Sequence, residues 1–241
     1  MLVLTPTSAD FAPEVLRLVD QYVHGQIDRR GFLDRAARWA GAGTTPAGLL
    51  AALAPHFAAA QKVRPDDARV QTGFVEFDSP AGHGKGRAYL ARPARAAGPL
   101  PVVLVVHENR GLNPHIEDIA RRLALDDFIA LAPDALHPLG GYPGDEDQAR
   151  ALFAKPDAPR TREDMVAAAG HARALPGGNG RLGAVGFCWG GGIVNLLATR
   201  MPELAAGVPF YGSPAPLAQV GRIRAELLLM FAGTDERINA T

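Results

Sequence analysis

Apolar positions fall into two regimes along the chain. Over residues 14–23, Val15, Leu16, Leu18, Val19, Tyr22 and Val23 recur at roughly helical spacing and predict a short amphipathic helix. From about residue 66 the pattern changes. Gly73-Phe74-Val75-Glu76-Phe77 and Lys85-Gly86-Arg87-Ala88-Tyr89-Leu90 are short alternating runs separated by Gly82 and Gly84, which predicts an antiparallel hairpin. Pro101-Val102-Val103-Leu104-Val105-Val106 is continuously apolar and β-branched, the pattern of a strand buried on both faces. Further strands are expected over 128–132, 182–187, 205–210 and 227–231. Helical patterns lie between them, over 116–125, 145–155, 161–175 and 190–200. Thr161-Arg162-Glu163-Asp164 offers the third helix an N-cap with acids in its first turn, and Pro202 stops the fourth. Strands alternating with helices imply a mostly parallel sheet covered on both faces. Residues 140–144 and 176–180 read as glycine-rich loops within that region.

Composition narrows the function classes. The 241 residues suit one α/β domain or two small ones, and a 47% hydrophobic content supports a sizeable core. Twenty-five basic and 25 acidic side chains cancel, which removes the main electrostatic reason to expect a nucleic-acid partner. Cys188 is the single cysteine, so no internal disulfide exists; it is a buried small hydrophobe, a reactive thiol or a lone metal ligand. One cysteine and scattered histidines do not make a metal-ligand spacing, and no cofactor is implied.

Residues 1–65 stand apart as a helical extension, with residues 66–241 as the α/β domain. Arg29-Arg30-Gly31-Phe32-Leu33 resembles a twin-arginine export signal, with the Ala-, Gly- and Leu-rich stretch 36–61 as its apolar core and Ala58-Ala59-Ala60 as its cleavage site. That reading implies a periplasmic or exported protein; otherwise it is cytoplasmic. Asp10, Glu14, Asp20 and Asp28 ahead of the arginines, and Asp34 after them, depart from such a signal. The plainer reading is an amphipathic extension with its arginines in solvent. Gly41, Gly43, Pro46, Pro55 and His56 interrupt the apolar stretch, so no stable membrane insertion is expected.

The informative segment is Leu182-Gly183-Ala184-Val185-Gly186-Phe187-Cys188-Trp189-Gly190-Gly191-Gly192. A strand runs into Cys188 and a glycine run opens a helix, the Gly-x-nucleophile-x-Gly elbow with Cys as nucleophile. Such a turn has strained backbone angles, and side chains two positions away on either side would collide, so both are glycine. The helix behind Cys188 would aim its N-terminal N–H groups at the sulfur and lower the thiol's pKa. A phosphate-cradling loop would want Lys-Ser/Thr after the glycines, where Ile193-Val194-Asn195 stand. A dinucleotide fingerprint fails on spacing and on its missing distal acid.

Three motifs together resemble the dienelactone hydrolase family of α/β-hydrolases: His107-Glu108-Asn109-Arg110-Gly111-Leu112, Gly186-Phe187-Cys188-Trp189-Gly190-Gly191, and Phe231-Ala232-Gly233-Thr234-Asp235. The resemblance covers residues from about 70 to the end. It implies an α/β-hydrolase three-layer sandwich with a mostly parallel sheet. It implies Cys188 as the nucleophile, Asp235 as the acid that orients a histidine, and Glu108 as a carboxylate that pairs with the thiol and helps ionise it. Backbone N–H groups of Asn109 and Trp189 would form the oxyanion hole. His107 would shape that loop. Tyr211 would line the pocket, or else pack in the core. The implied activity is a carboxylic-ester or lactone hydrolase that forms and then hydrolyses a thioester at Cys188, with a small-molecule ester or lactone as its partner.

Two departures accompany the resemblance. All seven histidines precede Asp235, whereas the family's histidine lies beyond it. The resemblance therefore implies a domain lacking the final strand, the histidine loop and the last helix. Loss of a positioned imidazole would cost roughly 10²–10⁴ in rate. An inactive remnant or, less favoured, a thiol sensor on Cys188 stand as the other readings. Leu227-Leu228-Leu229-Met230-Phe231 would then sit at a raw sheet edge open to self-association. Second, Pro133-Asp134-Ala135-Leu136-His137-Pro138 carries no arginine, where dienelactone-cleaving members hold the substrate carboxylate.

Overall fold

The structure is a computed structural model and describes residues 10–40, 45–53, 61–155, 157–233 and 235–241. By its internal contacts the chain divides into Met1–Phe57 and Ala58–Thr241.

The first unit is helical. Helix α1 (Pro13–Val23) opens on proline, carries Glu14 in its first turn and buries Val15, Leu18 and Tyr22 on one face. Helix α2 (Arg29–Ala36) is capped by Asp28, whose carboxylate accepts the Gly31 N–H at 2.7 Å. Helix α3 is Pro46–Leu53. Leu18, Tyr22, Phe32, Ala36, Leu49 and Leu50 form a shared apolar core. The arginine pair thus begins a helix with both side chains in solvent, while Phe32 two residues on is fully buried against Tyr22, ring centroids 5.9 Å apart. Ala58-Ala59-Ala60 lie outside the described residues. No described helix is long and apolar enough to cross a membrane.

The second unit is built on a seven-stranded sheet in the order β1-β2-β4-β3-β5-β6-β7. The predicted hairpin is β1 (Val70–Ser79) against β2 (Gly84–Pro93), antiparallel. β2 meets β4 (Ile129–Pro133) antiparallel, and every later pairing is parallel: β4 with β3 (Leu100–Val106), β3 with β5 (Gly178–Phe187), β5 with β6 (Leu204–Phe210), and β6 with β7 (Glu226–Leu227). Central β3 has Val102, Leu104, Val105 and Val106 without solvent exposure, as its unbroken apolar run requires.

Helices cover both faces. Helix α4 (Pro114–Leu125) buries Ile116, Ala120 and Ala124 against Val105, Ala130 and Ala132 on one side. On the other, α6 (Ala158–Arg173) and α7 (Trp189–Arg200) pack Met165, Ala168, Ala169, Ile193, Val194 and Leu197 onto Leu104, Leu131, Leu182 and Leu204. This is the three-layer α/β-hydrolase arrangement. Fully burying each such Leu or Ile is worth about 1.5–3 kcal/mol, so the two apolar faces dominate the assembly of this unit.

Two features differ from the sequence reading. Helix α6 begins earlier than expected. Its cap is Asp157, bonded to the Arg160 N–H, and Thr161 lies inside the helix with its hydroxyl donating to the Asp157 carbonyl at 3.0 Å. The regular strand β7 is shorter than 227–231, but its pairing with β6 runs on: the Leu228 and Met230 N–H groups donate to the Gly207 and Pro209 carbonyls at 3.0 and 3.1 Å, and Phe210 and Met230 form an isolated bridge. Leu228 is 60% exposed and Leu229, Met230 and Phe231 are also open. His171, on α6, stacks on Phe77 at 5.9 Å and holds its Nε2 buried without a hydrogen-bond partner.

The unit is fastened at its start by buried charge. Asp118 accepts the N–H groups of Lys62 and Val63 at 3.0 and 2.8 Å. Arg121, fully buried, donates to the Val63 carbonyl and the Tyr89 hydroxyl and lies 3.8 Å from Asp118. A guanidinium so placed persists because several acceptors replace its water.

Candidate functional site

Strand β5 delivers Cys188 to the end of the sheet, next to β3 and β6. The Cys188 N–H donates to the Phe210 carbonyl at 3.0 Å, and the residue then takes φ 52°, ψ −112° before α7 begins. A side-chain-bearing residue at positive φ costs about 1–3 kcal/mol and persists only where its surroundings over-determine it. The glycines supply that. A Cβ on Gly186 would stand 2.2 Å from the Gly190 carbonyl oxygen, one on Gly190 2.3 Å from that of Val106, and one on Gly191 2.6 Å from that of Phe210. Each would strike backbone, so the turn closes only with glycine at these places.

Cys188 keeps partial exposure. Burial pushes its thiol above the ordinary range, and the nearby Glu108 carboxylate pushes it further; the Trp189 backbone N–H bonded to the sulfur and the charges of Arg237 and Arg110 pull the other way. The expectation of a net lowered thiol pKa is therefore corrected. The helix N–H is in place, but desolvation of a thiolate outweighs it.

Glu108 follows β3 in the segment 107–113 that faces the elbow. The Tyr211 hydroxyl donates to Glu108 Oε1 at 3.0 Å. Tyr211 itself sits at φ 39° just past β6, with its N–H given to the Met230 carbonyl at 2.7 Å. Burial, then the Glu108 charge, push the phenol upward, so it stays a donor. Tyr211 is neither simple core nor only a pocket wall: its hydroxyl holds the carboxylate beside the sulfur.

His107 is fully buried and neutral. Burial lowers its pKa, its Nδ1–H donates to the Glu108 carbonyl, and its Nε2 accepts the Ala135 N–H at 3.1 Å. Its ring stacks on Trp189 at 5.4 Å, and Phe153 packs edge-on to Trp189 at 5.0 Å. Both ring nitrogens are committed, which fits the shaping part expected of it.

Asn109 lies next on the segment, and its side-chain oxygen accepts from Arg110 Nη1. Arg110, nearly buried, also places Nε 3.3 Å from Glu146 Oε2. The other oxygen of Glu146 takes the Tyr142 hydroxyl at 2.8 Å and the Asn113 amide at 3.3 Å. Glu146 begins helix α5 (Glu146–Phe153). Gly111, at φ 74°, sits where a Cβ would meet Leu136 Cδ1 at 2.5 Å.

Of the six expected site residues, Cys188, Trp189, Glu108 and Tyr211 are brought together by direct bonds or by charge, and Asn109 adjoins Glu108 in sequence. Asp235 is used differently. It caps the short helix α8 (Glu236–Asn239), accepting the Ile238 N–H at 3.0 Å, and no histidine is bonded to it among the described residues. Sequence reasoning missed Arg110, Arg237, Tyr142 and Glu146. The charges of Arg110 and Arg237 reach the sulfur. Among the described residues no group of three or more His, Cys, Asp or Glu side chains could hold a metal ion.

Comparison with known proteins agrees with this geometry. The sequence model of the dienelactone hydrolase family matches residues 87–241, and a second, YqhI-like, matches residues 5–41. A protein of Escherichia coli K12 named "Putative hydrolase fragment YghX" is 49% identical over 108 residues, 45% of this chain and 92% of its own. Another from the same organism, named "Putative carboxymethylenebutenolidase", is 37% identical over 188 residues, covering 72% of this chain and 68% of its own. The crystal structure of a Klebsiella pneumoniae protein named "Putative Dienelactone Hydrolase" superposes with TM-score 0.54 at 33% identity, over 66% of this chain and 72% of that one. With a family match over more than half its length and a relative of this identity and coverage, the chain belongs to the dienelactone hydrolase family.

Proposed function

We propose that this chain acts on carboxylic esters or lactones, with Cys188 as the nucleophile. The observation that carries the reading is the elbow itself. A sulfur held at positive φ, a helix N–H bonded to it and a carboxylate beside it have no use in packing. At rest the proton stays on the sulfur, because thiolate and carboxylate side by side repel. As Sγ bonds to the carbonyl carbon its negative charge disperses, and the proton passes to Glu108. The carbonyl oxygen becomes an oxyanion facing the N–H groups of Trp189 and Asn109. Collapse breaks the carbon–oxygen bond and the leaving alcohol takes the proton. Water then cleaves the thioester to the acid and restores the thiol. Asp235 stands at the place of the acid that would orient a histidine, and Tyr211 fixes Glu108 where the substrate binds.

The test is acetylation by p-nitrophenyl acetate. One p-nitrophenolate released per chain in a first phase, with an acetyl group on Cys188 by peptide mass spectrometry, is the expected result. Cys188→Ala abolishes both. Ester cleavage that survives this substitution, or a wild-type sulfur that takes no acetyl group, overturns the reading.

A further inference from the structure

We infer that Arg110 and Glu146 are positioning residues for the oxyanion site, acting through Asn109. This rests on the hydrolase reading above and adds to it two residues with no part in the family's nucleophile, acid or base. A backbone N–H is useful to an oxyanion only if its peptide plane is held, and a loop peptide has no ladder to hold it. Asn109 solves this through its side chain. Arg110 Nη1 donates to Asn109 Oδ1 while the same guanidinium reaches Glu146 Oε2 at 3.3 Å. Glu146 is itself held by Tyr142 at 2.8 Å and Asn113 at 3.3 Å. Asn113 also caps α4, accepting the Ile116 N–H at 3.2 Å, and donates its own N–H to the Gly111 carbonyl at 2.9 Å.

Segment 107–113 is thereby fixed from three directions. His107 ties its start to Ala135, Asn113 ties its end to α4, and Arg110 ties its middle to the first residue of α5. The middle tie is the one that bears on Asn109. It is also charged and nearly buried at Arg110, so it is stiffer than a solvent-facing bond. Tyr142 is half-buried in a segment where Gly140, Gly141 and Gly144 all have positive φ, and its phenol bonds Glu146.

The experiment compares two reactions of the same sulfur in the full chain. Acetylation by p-nitrophenyl acetate passes through an oxyanion; alkylation by iodoacetamide is a displacement at a saturated carbon and forms none. Their rate ratio cancels any change in thiolate fraction, including the loss of the Arg110 charge. Arg110→Met is expected to lower the ratio roughly 10–100-fold, as for an oxyanion donor shifted out of line. Glu146→Gln, which keeps a partner for Tyr142 and Asn113, is expected to lower it less, and Arg110→Lys to recover part of the loss. An unchanged ratio in Arg110→Met and Glu146→Gln, or an equal fall of both reactions, overturns the inference. A wild-type sulfur that alkylates but never acetylates overturns the hydrolase reading instead, a separate and recognisable outcome.

Discussion

The Tyr211 hydroxyl donates to Glu108 Oε1 across 3.0 Å, joining the loop after β6 to the loop after β3 over the top of the strand that carries Cys188. Because the phenol stays protonated, the bond always runs from Tyr211 to the carboxylate. It restrains the group proposed to take the thiol proton.

Tyr211→Phe removes that bond and leaves the ring. Hydrogen bonds to charged groups are worth about 1.5–3 kcal/mol, so acetylation of Cys188 by p-nitrophenyl acetate should slow about 10–100-fold. Single-turnover release of p-nitrophenolate measures it. A rate equal to wild type would show that Glu108 needs no such anchor.

The thiol itself makes a prediction with a definite sign. Burial and Glu108 both raise it, so iodoacetamide alkylation of Cys188 should climb with pH to a midpoint above the ordinary cysteine value of about 8.5. Glu108→Gln removes a negative neighbour that disfavours thiolate, and the midpoint should move down. Alkylation rates over a pH series decide it; an unchanged midpoint in Glu108→Gln would mean the carboxylate is not felt at the sulfur.

The elbow glycines can be separated from glycine in general. Gly190→Ala puts a methyl 2.3 Å from the Val106 carbonyl oxygen and 2.6 Å from that of His107, and neither backbone can withdraw. A loss of about 1–3 kcal/mol is expected, with Tm falling about 2–4 °C for each kcal/mol. Gly170→Ala, in α6 with nothing near its added methyl, should instead hold or raise Tm. Thermal melts of the two variants side by side give the contrast.

Much of this was legible in the residues. Unbroken β-branched runs marked β3, and strand–helix alternation marked the layers, because both signals are local and periodic. The elbow was legible because Gly186, Cys188 and Gly190 obey one steric rule. The thiol's direction of shift was not, since a helix end is visible in sequence while desolvation and a carboxylate from another strand are not. Tyr211 stood open between pocket and core for the same reason: its partner is Glu108, distant along the chain. Arg110 and Glu146 gave no periodic signal at all. The start of α6 was a misread local cue. Asp157 with proline in the first turn outcompetes Thr161, whose hydroxyl is satisfied inside the helix.

That same misreading hid the most consequential buried carboxylate outside the site. Asp164, expected among the acids of a first turn, is 4% exposed at the hairpin between β1 and β2. It accepts the Ser79 hydroxyl at 2.6 Å, the His83 N–H at 2.9 Å and the His83 ring Nδ1. A Cβ on Gly82 would lie 2.0 Å from its Oδ1, so the turn has no slack. Asp164→Ala strands these donors, and Ser79 is wholly enclosed. Leaving a buried donor without its acceptor costs about 1–3 kcal/mol, which gives a Tm loss of roughly 2–12 °C. Asp78→Ala, which removes the solvent-exposed partner of Lys85 in the same hairpin, should leave Tm where it was, because water replaces an exposed ion pair readily. Equal losses in the two variants would mean that the hairpin gains nothing from the buried carboxylate.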